Sequence, residues 1–275
     1  MNTTLSAADV NLFNENGYHV HGKLFSDEEI KLLREACIAV CDRAIYETGI
    51  EPDQRFWNKG DDPLGMHKID NCWKANSVIF HAVTDERLGY IASQLLGEPE
   101  IRLWHDQLSW KPANGGKVAT WHQDWSYWQM ITECRTISCW IALDDVHPDS
   151  GPMIYLKGSH RVGLIPHPEQ ISGDDEMRPS LPGIERFEEV PVIVPAGYVA
   201  FHHGLTLHGS GINRSPYSRG ALVSHVMAGS CTYRERNEHR CESAMKNYDE
   251  YPKTGEHFHG PQFPPMWPPR NLSRR

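Results

Sequence analysis

Trp121-His122-Gln123-Asp124-Trp125 is the stretch on which the reading of this chain turns, together with an answering segment far downstream, His208-Gly209-Ser210 followed by Arg219. Strand side chains alternate between two faces, so His122 and Asp124 share one face and Gln123 takes the other. A second imidazole, supplied by a distant strand, completes a set of two histidines and one carboxylate. Such a face holds Fe(II) and leaves three positions open, which on a redox metal means oxygen chemistry. The two segments have to meet across the fold, so the texture of the remaining chain decides whether they can.

Before residue 100 that texture is helical. Ser6 starts a short helical segment through Phe13 that stops near Gly17. Ser26-Asp27-Glu28-Glu29 is a capping box, after which Ile30, Leu33, Cys37, Val40, Cys41 and Ala44 recur at helical spacing until Gly49. Glu51 to Gly65 reads as a polar loop. Thr84-Asp85-Glu86 caps a third helix with Leu88, Ile91, Ala92, Leu95 and Leu96 on one face and Gly97 closing it. Beyond residue 100, short runs rich in branched and aromatic residues predict strands: Ile101 to Trp110, Thr136 to Leu143, Met153 to Leu156, Pro191 to Val194, Val199 to His203 and Ala221 to Met227. Gly, Pro, Asn and Asp clusters separate them, as in an antiparallel sandwich or barrel with helices packed outside. The tail from Glu256 to Arg275 carries five prolines with Phe258, Phe263 and Trp267. It reads as an extended wrap that folds over a pocket mouth or packs on the surface.

Composition narrows the class. With 39% hydrophobic and 23% charged residues, the 275-residue chain has the profile of a soluble globular protein with a substantial core. No apolar run approaches the roughly 20 residues that span a bilayer, and the N-terminal residues lack the pattern of a signal peptide. A net charge of −9 argues against nucleic acid or an anionic membrane as partner, and mildly against a highly anionic substrate. Seven scattered cysteines, without a Cys-x-x-Cys pair, match neither a zinc knuckle nor a disulfide framework. Reduced thiols and a cytoplasmic location are the expectation. Cys37 and Cys41, one helical turn apart, belong to a packed helix face.

Sixteen histidines produce accidental metal-like pairs, so each is weighed. His257 and His259 lie in the Pro-rich tail, where nothing rigid fixes their geometry. His202 and His203 are adjacent and face opposite ways on a strand, so they cannot chelate together, and His105-Asp106 has the same defect. His147, His160 and His167 sit near turns without a partner at metal spacing and read as structural or surface residues. His122-x-Asp124 by itself is a weak motif; His208 and Arg219 lift it. The guanidinium of Arg219, reached by a hairpin through the Asn213-to-Tyr217 turn, is placed to grip a carboxylate in bidentate fashion, and Ser210 to add a hydroxyl.

At this point the whole pattern resembles the phytanoyl-CoA dioxygenase family of Fe(II)- and 2-oxoglutarate-dependent oxygenases, from the first helix to about Met227. Met66-His67-Lys68-Ile69 looks like the family's lysine-bearing strand and Gln107-Leu108-Ser109-Trp110-Lys111-Pro112 like its strand ending in Lys-Pro. Trp121-His122-Gln123-Asp124 is similar to its His-Gln-Asp motif, and Cys139-Trp140-Ile141-Ala142-Leu143-Asp144-Asp145 to its next strand. Asp149-Ser150-Gly151-Pro152, running to Lys157-Gly158-Ser159-His160, resembles another family segment, departing with Asp149-Ser150 for the usual Asn and Lys157 for Pro. Pro195-Ala196-Gly197 leads to His208-x-Ser210, and Arg219 follows eleven residues past His208, as in the family.

The resemblance implies a mainly β fold with helices: a double-stranded β-helix, or cupin-like jelly roll, with N-terminal supporting helices. One domain over 1–275 is expected, with 1–99 largely helical support, 100–230 the jelly-roll core and 231–275 an extended C-terminal segment. It implies His122, Asp124 and His208 as iron ligands, Arg219 and Ser210 on the far carboxylate of 2-oxoglutarate, and Lys68, Trp140 and Gln107 as further cosubstrate contacts. Lys111 is a buried cation nearby whose matching position is more often structural. Fe(II), 2-oxoglutarate and O₂ are the cofactor set, with succinate and CO₂ released. Related halogenases carry a small residue where Asp124 stands, so hydroxylation is the default outcome; desaturation, epimerisation or ring closure start from the same hydrogen abstraction. A small-molecule substrate is expected, hydrophobic or ring-bearing, with no nucleic acid, membrane or obligate protein partner. Trp57, Trp125, Tyr127 and Trp128 line its pocket or serve as packing. A cupin-type isomerase, a cosubstrate-independent dioxygenase and a non-catalytic binding module remain as alternatives, and a closed zinc site lacks its thiolates.

Overall fold

The computed structural model describes residues 3–42, 46–165, 184–236, 242, 245, 246 and 248–269; Ala44, His167, Cys241 and residues 270–275 lie outside the described residues. Helices α1 (Ala7–Asn16) and α2 (Asp27–Cys41) begin at capping boxes, in which Ser6 and Ser26 accept from the N–H of Asp9 and Glu29 and those carboxylates return the bond. Helix α2 stops at Cys41 with Asp42 as its C-cap, well before the expected Gly49; Gly49 instead closes a separate turn through its N–H to Tyr46. Helix α3 (Ser77–Val83), capped by Asn76, is not announced by the apolar pattern. Helix α4 (Glu86–Leu96) runs as expected from Asp85 to a left-handed Gly97.

Two antiparallel sheets follow. The larger contains β1 (Tyr18–Lys23), β2 (Gln54–Arg55), β3 (His67–Asp70), β4 (Ile101–Lys111), β6 (Thr136–Ala142), β9 (Tyr198–His203), β11 (Arg219–Ala228) and β12 (Pro265–Trp267). Its order is β1-β9-β6-β11-β4-β3-β2, with β12 added on β4. The smaller, ordered β5-β10-β7-β8, contains β5 (Ala119–His122), β7 (Met153–Leu156), β8 (Glu189–Pro191) and β10 (His208–Ser210). This is a jelly roll with the N-terminal helices on the larger sheet.

Period two explains both sides of the larger sheet. Leu108, Ile137, Ile141, Phe201, Leu222 and Val226 face outward onto Leu33, Val40, Ile79, Leu88 and Ile91 of the helices. Each such burial contributes roughly 1.5–3 kcal/mol relative to exposure. Trp140, Ala142, Ala200, Ala221 and Val223, the alternate residues, face inward onto Met153 and Tyr155 of the smaller sheet and onto Val192 and Val194 just beyond it. Small residues on one side leave room between the sheets.

Three expectations need correction. The run from Pro191 to Val194 is not the strand: β8 ends at Pro191, on a sheet edge where a missing N–H is tolerated, and Val192 and Val194 turn into the core. No hairpin links His208 to Arg219: His208 opens β10 in the smaller sheet and Arg219 opens β11 in the larger. Residues 211–218 cross from one sheet to the other, pinned by Asn213, whose side chain donates to Pro112 and Tyr217 and accepts from Ser215. The described part of the tail does more than lie on the surface. Phe258 and Phe263 bury against Trp104, Trp128 and Met227, at the end of β4 and β11 opposite Arg219.

Candidate active site

Two neighbouring strands of the smaller sheet bring the imidazoles together. His122, the last residue of β5, is in register with His208 of β10, and their ring centroids are 4.2 Å apart. The strand does not continue to Asp124, which opens a 3-10 turn. Gln123 nevertheless stays extended (φ −115°, ψ 127°), so the alternation carries one residue further and the Asp124 carboxylate comes round to the same side. On the opposite side the Gln123 amide donates to Gly163 and Leu205 and accepts from the N–H of Ile165, anchoring this strand end. Asp124 Oδ1 lies 3.6 Å from Nε2 of both histidines, and one donor atom from each residue lies within 4.8 Å of the others.

The protons of this cluster follow from its neighbours. His122 Nδ1 is 2.7 Å from the Thr120 carbonyl and His208 Nδ1 is 2.9 Å from the Thr206 carbonyl. Carbonyls only accept, so each Nδ1 carries the hydrogen and each Nε2 presents a lone pair. Burial pushes both imidazoles below their usual range, His208 furthest. Burial alone would raise the Asp124 carboxyl, but the facing His208, the hydrogen bond from His202 and the proximity of His225 together hold it well below the carboxylate range. Two lone pairs and one anionic oxygen thus converge with no hydrogen among them. That donor set fits a divalent iron ion.

Behind the cluster is a network on the larger sheet that sequence reasoning missed. Asp124 Oδ2 accepts from Ser138 Oγ at 2.5 Å and from His202 Nε2 at 3.0 Å. Ser138 has given its one hydrogen to Asp124, so it accepts from His225 Nδ1 at 2.7 Å; His202 Nδ1 accepts from the Tyr155 hydroxyl at 3.1 Å. Oδ2 is fully occupied and Oδ1 is left for the metal face. His202 and His203 do face opposite ways, as expected, yet His202 alone is part of the site. His105, likewise set aside, stacks on His225 at 4.5 Å. The available signal was alternation: Ser138, His202 and His225 are in register on three adjacent strands, all facing inward.

Every residue expected to hold the iron or to contact the cosubstrate lines one cavity of about 280 Å³: His122, Asp124, His208, Lys68, Gln107, Trp140, Ser210 and Arg219. Lys68 Nζ lies 5.1 Å from the Phe56 ring centroid, and the Gln107 amide donates to Asp70. Of the four aromatic residues proposed as pocket wall, Tyr127 alone lines the cavity. Trp57 stacks on His67, Trp128 packs beside Met130, and Trp125 packs on that same cluster.

Arg219 is 1% exposed, and its guanidinium lies over Trp140 and donates to the carbonyl of Gly151, while its Nε is buried without a partner. Burial lowers it to about 10, which leaves it charged at neutral pH. Gly151 has φ +67°, and a Cβ there would lie 2.7 Å from the Gly211 carbonyl, so the segment resembling the family's glycine motif is glycine for a steric reason. The same segment's Ser159 accepts from the N–H of Leu207 and so holds the approach to His208. A buried cation with an unused N–H, beside the Ser210 hydroxyl, fits a carboxylate.

The comparisons with known proteins agree with this geometry. The profile of the family described as Phytanoyl-CoA dioxygenase (PhyH) matches residues 13–221. The peroxisomal phytanoyl-CoA dioxygenase of Rattus norvegicus is 26% identical over 245 residues, covering 84% of this chain and 71% of that protein. The ectoine dioxygenase of Stutzerimonas stutzeri (strain A1501) is 27% identical over 236 residues, covering 80% and 76%. Among solved structures, the non-heme alpha-ketoglutarate-dependent carbocyclase SnoK from nogalamycin biosynthesis superposes with a TM-score of 0.75 at 25% identity, over 95% of this chain and 96% of that one. The chain belongs to the phytanoyl-CoA dioxygenase family and is an oxidoreductase of the Fe(II)- and 2-oxoglutarate-dependent dioxygenase type.

Proposed function

We propose that His122, Asp124 and His208 hold the iron, and that Arg219 and Ser210 take the far carboxylate of 2-oxoglutarate. Lys68, Gln107 and Trp140 form the cosubstrate's walls, and 1–275 acts as one catalytic domain. The observation that carries this reading is the pairing, in one cavity, of an acceptor-only cluster at Asp124 with an anion-hungry cation at Arg219. Iron bound there supplies the O₂-dependent decarboxylation of 2-oxoglutarate and the hydrogen abstraction from substrate. The protein's own work is orientation. Thr120 and Thr206 fix the imidazole tautomers, Ser138 and His202 hold the carboxylate edge-on, and Arg219 sets the depth of the cosubstrate.

The substrate is a small hydrophobic or ring-bearing metabolite, meeting the cavity wall at Met66, Val118 and Tyr127. A cavity of about 280 Å³, shared with the cosubstrate, suits a compound of that size. Hydroxylation is the primary outcome. Ring closure is the second reading, favoured by the likeness to the carbocyclase SnoK along nearly the whole chain. Six described cysteines are free thiols, which supports action in the cytoplasm; no helix among the described residues is long and apolar enough to cross a membrane. The test is succinate release by the iron-loaded protein with 2-oxoglutarate and a panel of ring-containing metabolites. A product gaining one oxygen atom supports hydroxylation, and one losing two hydrogens supports ring closure or desaturation. No substrate-dependent succinate with any of them would sink the substrate class.

A further inference from the structure

Lys111 is the last residue of β4, in register with Arg219, the first residue of β11. Both side chains are fully buried, 0% and 1% exposed, and among the described residues neither has an ion-pair partner. The carboxylate whose field reaches Arg219, that of Asp144, is already taken by Arg34 and by the N–H of Gly220. Two adjacent buried cations without an anion are costly, because desolvation and mutual repulsion add. A fold that keeps them both has a use for the pair.

The surroundings of Lys111 show what that use is. Its Nζ donates to the carbonyls of Lys117, Ser210 and Gly211, at 3.0, 3.4 and 2.5 Å. Three carbonyl oxygens around one nitrogen are a seat for an ammonium ion. Two of them belong to the strand end that carries the Ser210 hydroxyl, and the third to the loop leading to Val118 on the cavity wall. The loop passes so close that a Cβ on Gly116 (φ +74°) would lie 2.7 Å from the Lys111 side chain. Among the described residues, no aspartate or glutamate takes part in this seat.

We propose that Lys111 is the second cation of the far-carboxylate pocket, a positioning residue that makes the site select 2-oxo dicarboxylates over 2-oxo monocarboxylates; this rests on the assignment of Arg219 above. Lys111 acts from behind, through the Ser210 backbone and through its charge. Burial and the neighbouring guanidinium work against that charge, pushing the ammonium down to about 6, and the three carbonyls and an incoming carboxylate work for it. The charged groups facing it are Arg219 on β11 and, on its own loop, Lys117, whose side chain is exposed.

Anaerobic titration of the Fe(II) protein with 2-oxoglutarate and with 2-oxopentanoate, which differs by lacking the far carboxylate, tests this through the visible charge-transfer band. In Lys111→Met the dissociation constant for 2-oxoglutarate should rise about tenfold or more, the order expected for a charge lost a few ångströms away in protein, while that for 2-oxopentanoate stays within about threefold. Equal weakening of both acids means that Lys111 is only a structural strut and overturns the proposal. No band with either acid in the unmutated protein sinks the assignment of the site itself. Should Lys111→Met not fold, Lys111→Gln, which keeps an N–H donor for the carbonyls and loses the charge, takes its place in the same titration. Weaker binding of 2-oxoglutarate alone supports the proposal, and equal weakening of both acids or unchanged affinity overturns it.

Discussion

The two ends of the cavity are electrostatic opposites. At one end a single buried carboxylate, Asp124, is ringed by imidazoles whose free nitrogens are lone pairs; at the other, Arg219 and Lys111 are buried side by side, and among the described residues neither pairs with a carboxylate. Buried charge is ordinarily paired. Here the first end lacks a cation and the second lacks an anion, and the distances within each are set by strand register rather than by mutual attraction. On the proposed assignment the two deficits are filled from outside, by iron and by a dicarboxylate, and each can be broken separately.

The largest effect falls on the carboxylate end. Asp124→Ala removes the one anion and leaves Ser138 and His202 without their acceptor, so iron content after anaerobic desalting and succinate release should both drop below detection. A variant that kept stoichiometric iron would break the comparison at its base. Next comes Arg219→Ala, which deletes a buried charge-assisted contact of about 2–5 kcal/mol. 2-Oxoglutarate should bind about 30-fold to more than 1,000-fold more weakly, with iron retained, and unchanged affinity would place the carboxylate elsewhere. Ser138→Ala takes away one of the two donors to Asp124 Oδ2 and the acceptor of His225. Outer partners of this kind are worth about 10–100-fold in metal affinity, and 2-oxoglutarate specificity should not move.

The smallest effect is on pH dependence of the metal-free protein. His122, His208 and His225 are each pushed by burial below the ordinary value of 6.5. The folded state therefore favours their neutral forms, and below pH 6.5 the unfolded chain binds more protons. Stability is fully present above 6.5 and declines as pH falls through the window beneath it, by at most about 1.4 kcal/mol per pH unit for each imidazole. Thermal melts from pH 7.5 to 5.5 should show the midpoint falling. A flat midpoint would mean that these rings are already protonated or wet in the native state.

Much of this was legible in residue order, and for identifiable reasons. The caps at Ser6, Ser26 and Asp85 act within one helical turn, so the helix starts were local facts. The His122-x-Asp124 alternation needed only an extended backbone at Gln123, and held although the strand itself ended at His122. His202 escaped notice because its partners are sequence strangers. Nothing about His202-His203 announces Ser138 in register on one side or Tyr155 across the sandwich. The aromatic residues left two readings open for the same reason: Trp57, Trp125 and Trp128 suit a pocket wall or a core in composition, and only packing sends them to His67 and to the cluster filled by the tail.

The sequence by itself determined the period of each element, its caps, and which residues are candidates for the metal face and its carboxylate clamp, because alternation and spacing act through neighbouring covalent geometry. Only the tertiary structure decided which buried charges go unpaired. Whether Arg219 and Lys111 find an acidic partner depends on which strands lie side by side, and that is settled by packing across the whole sandwich.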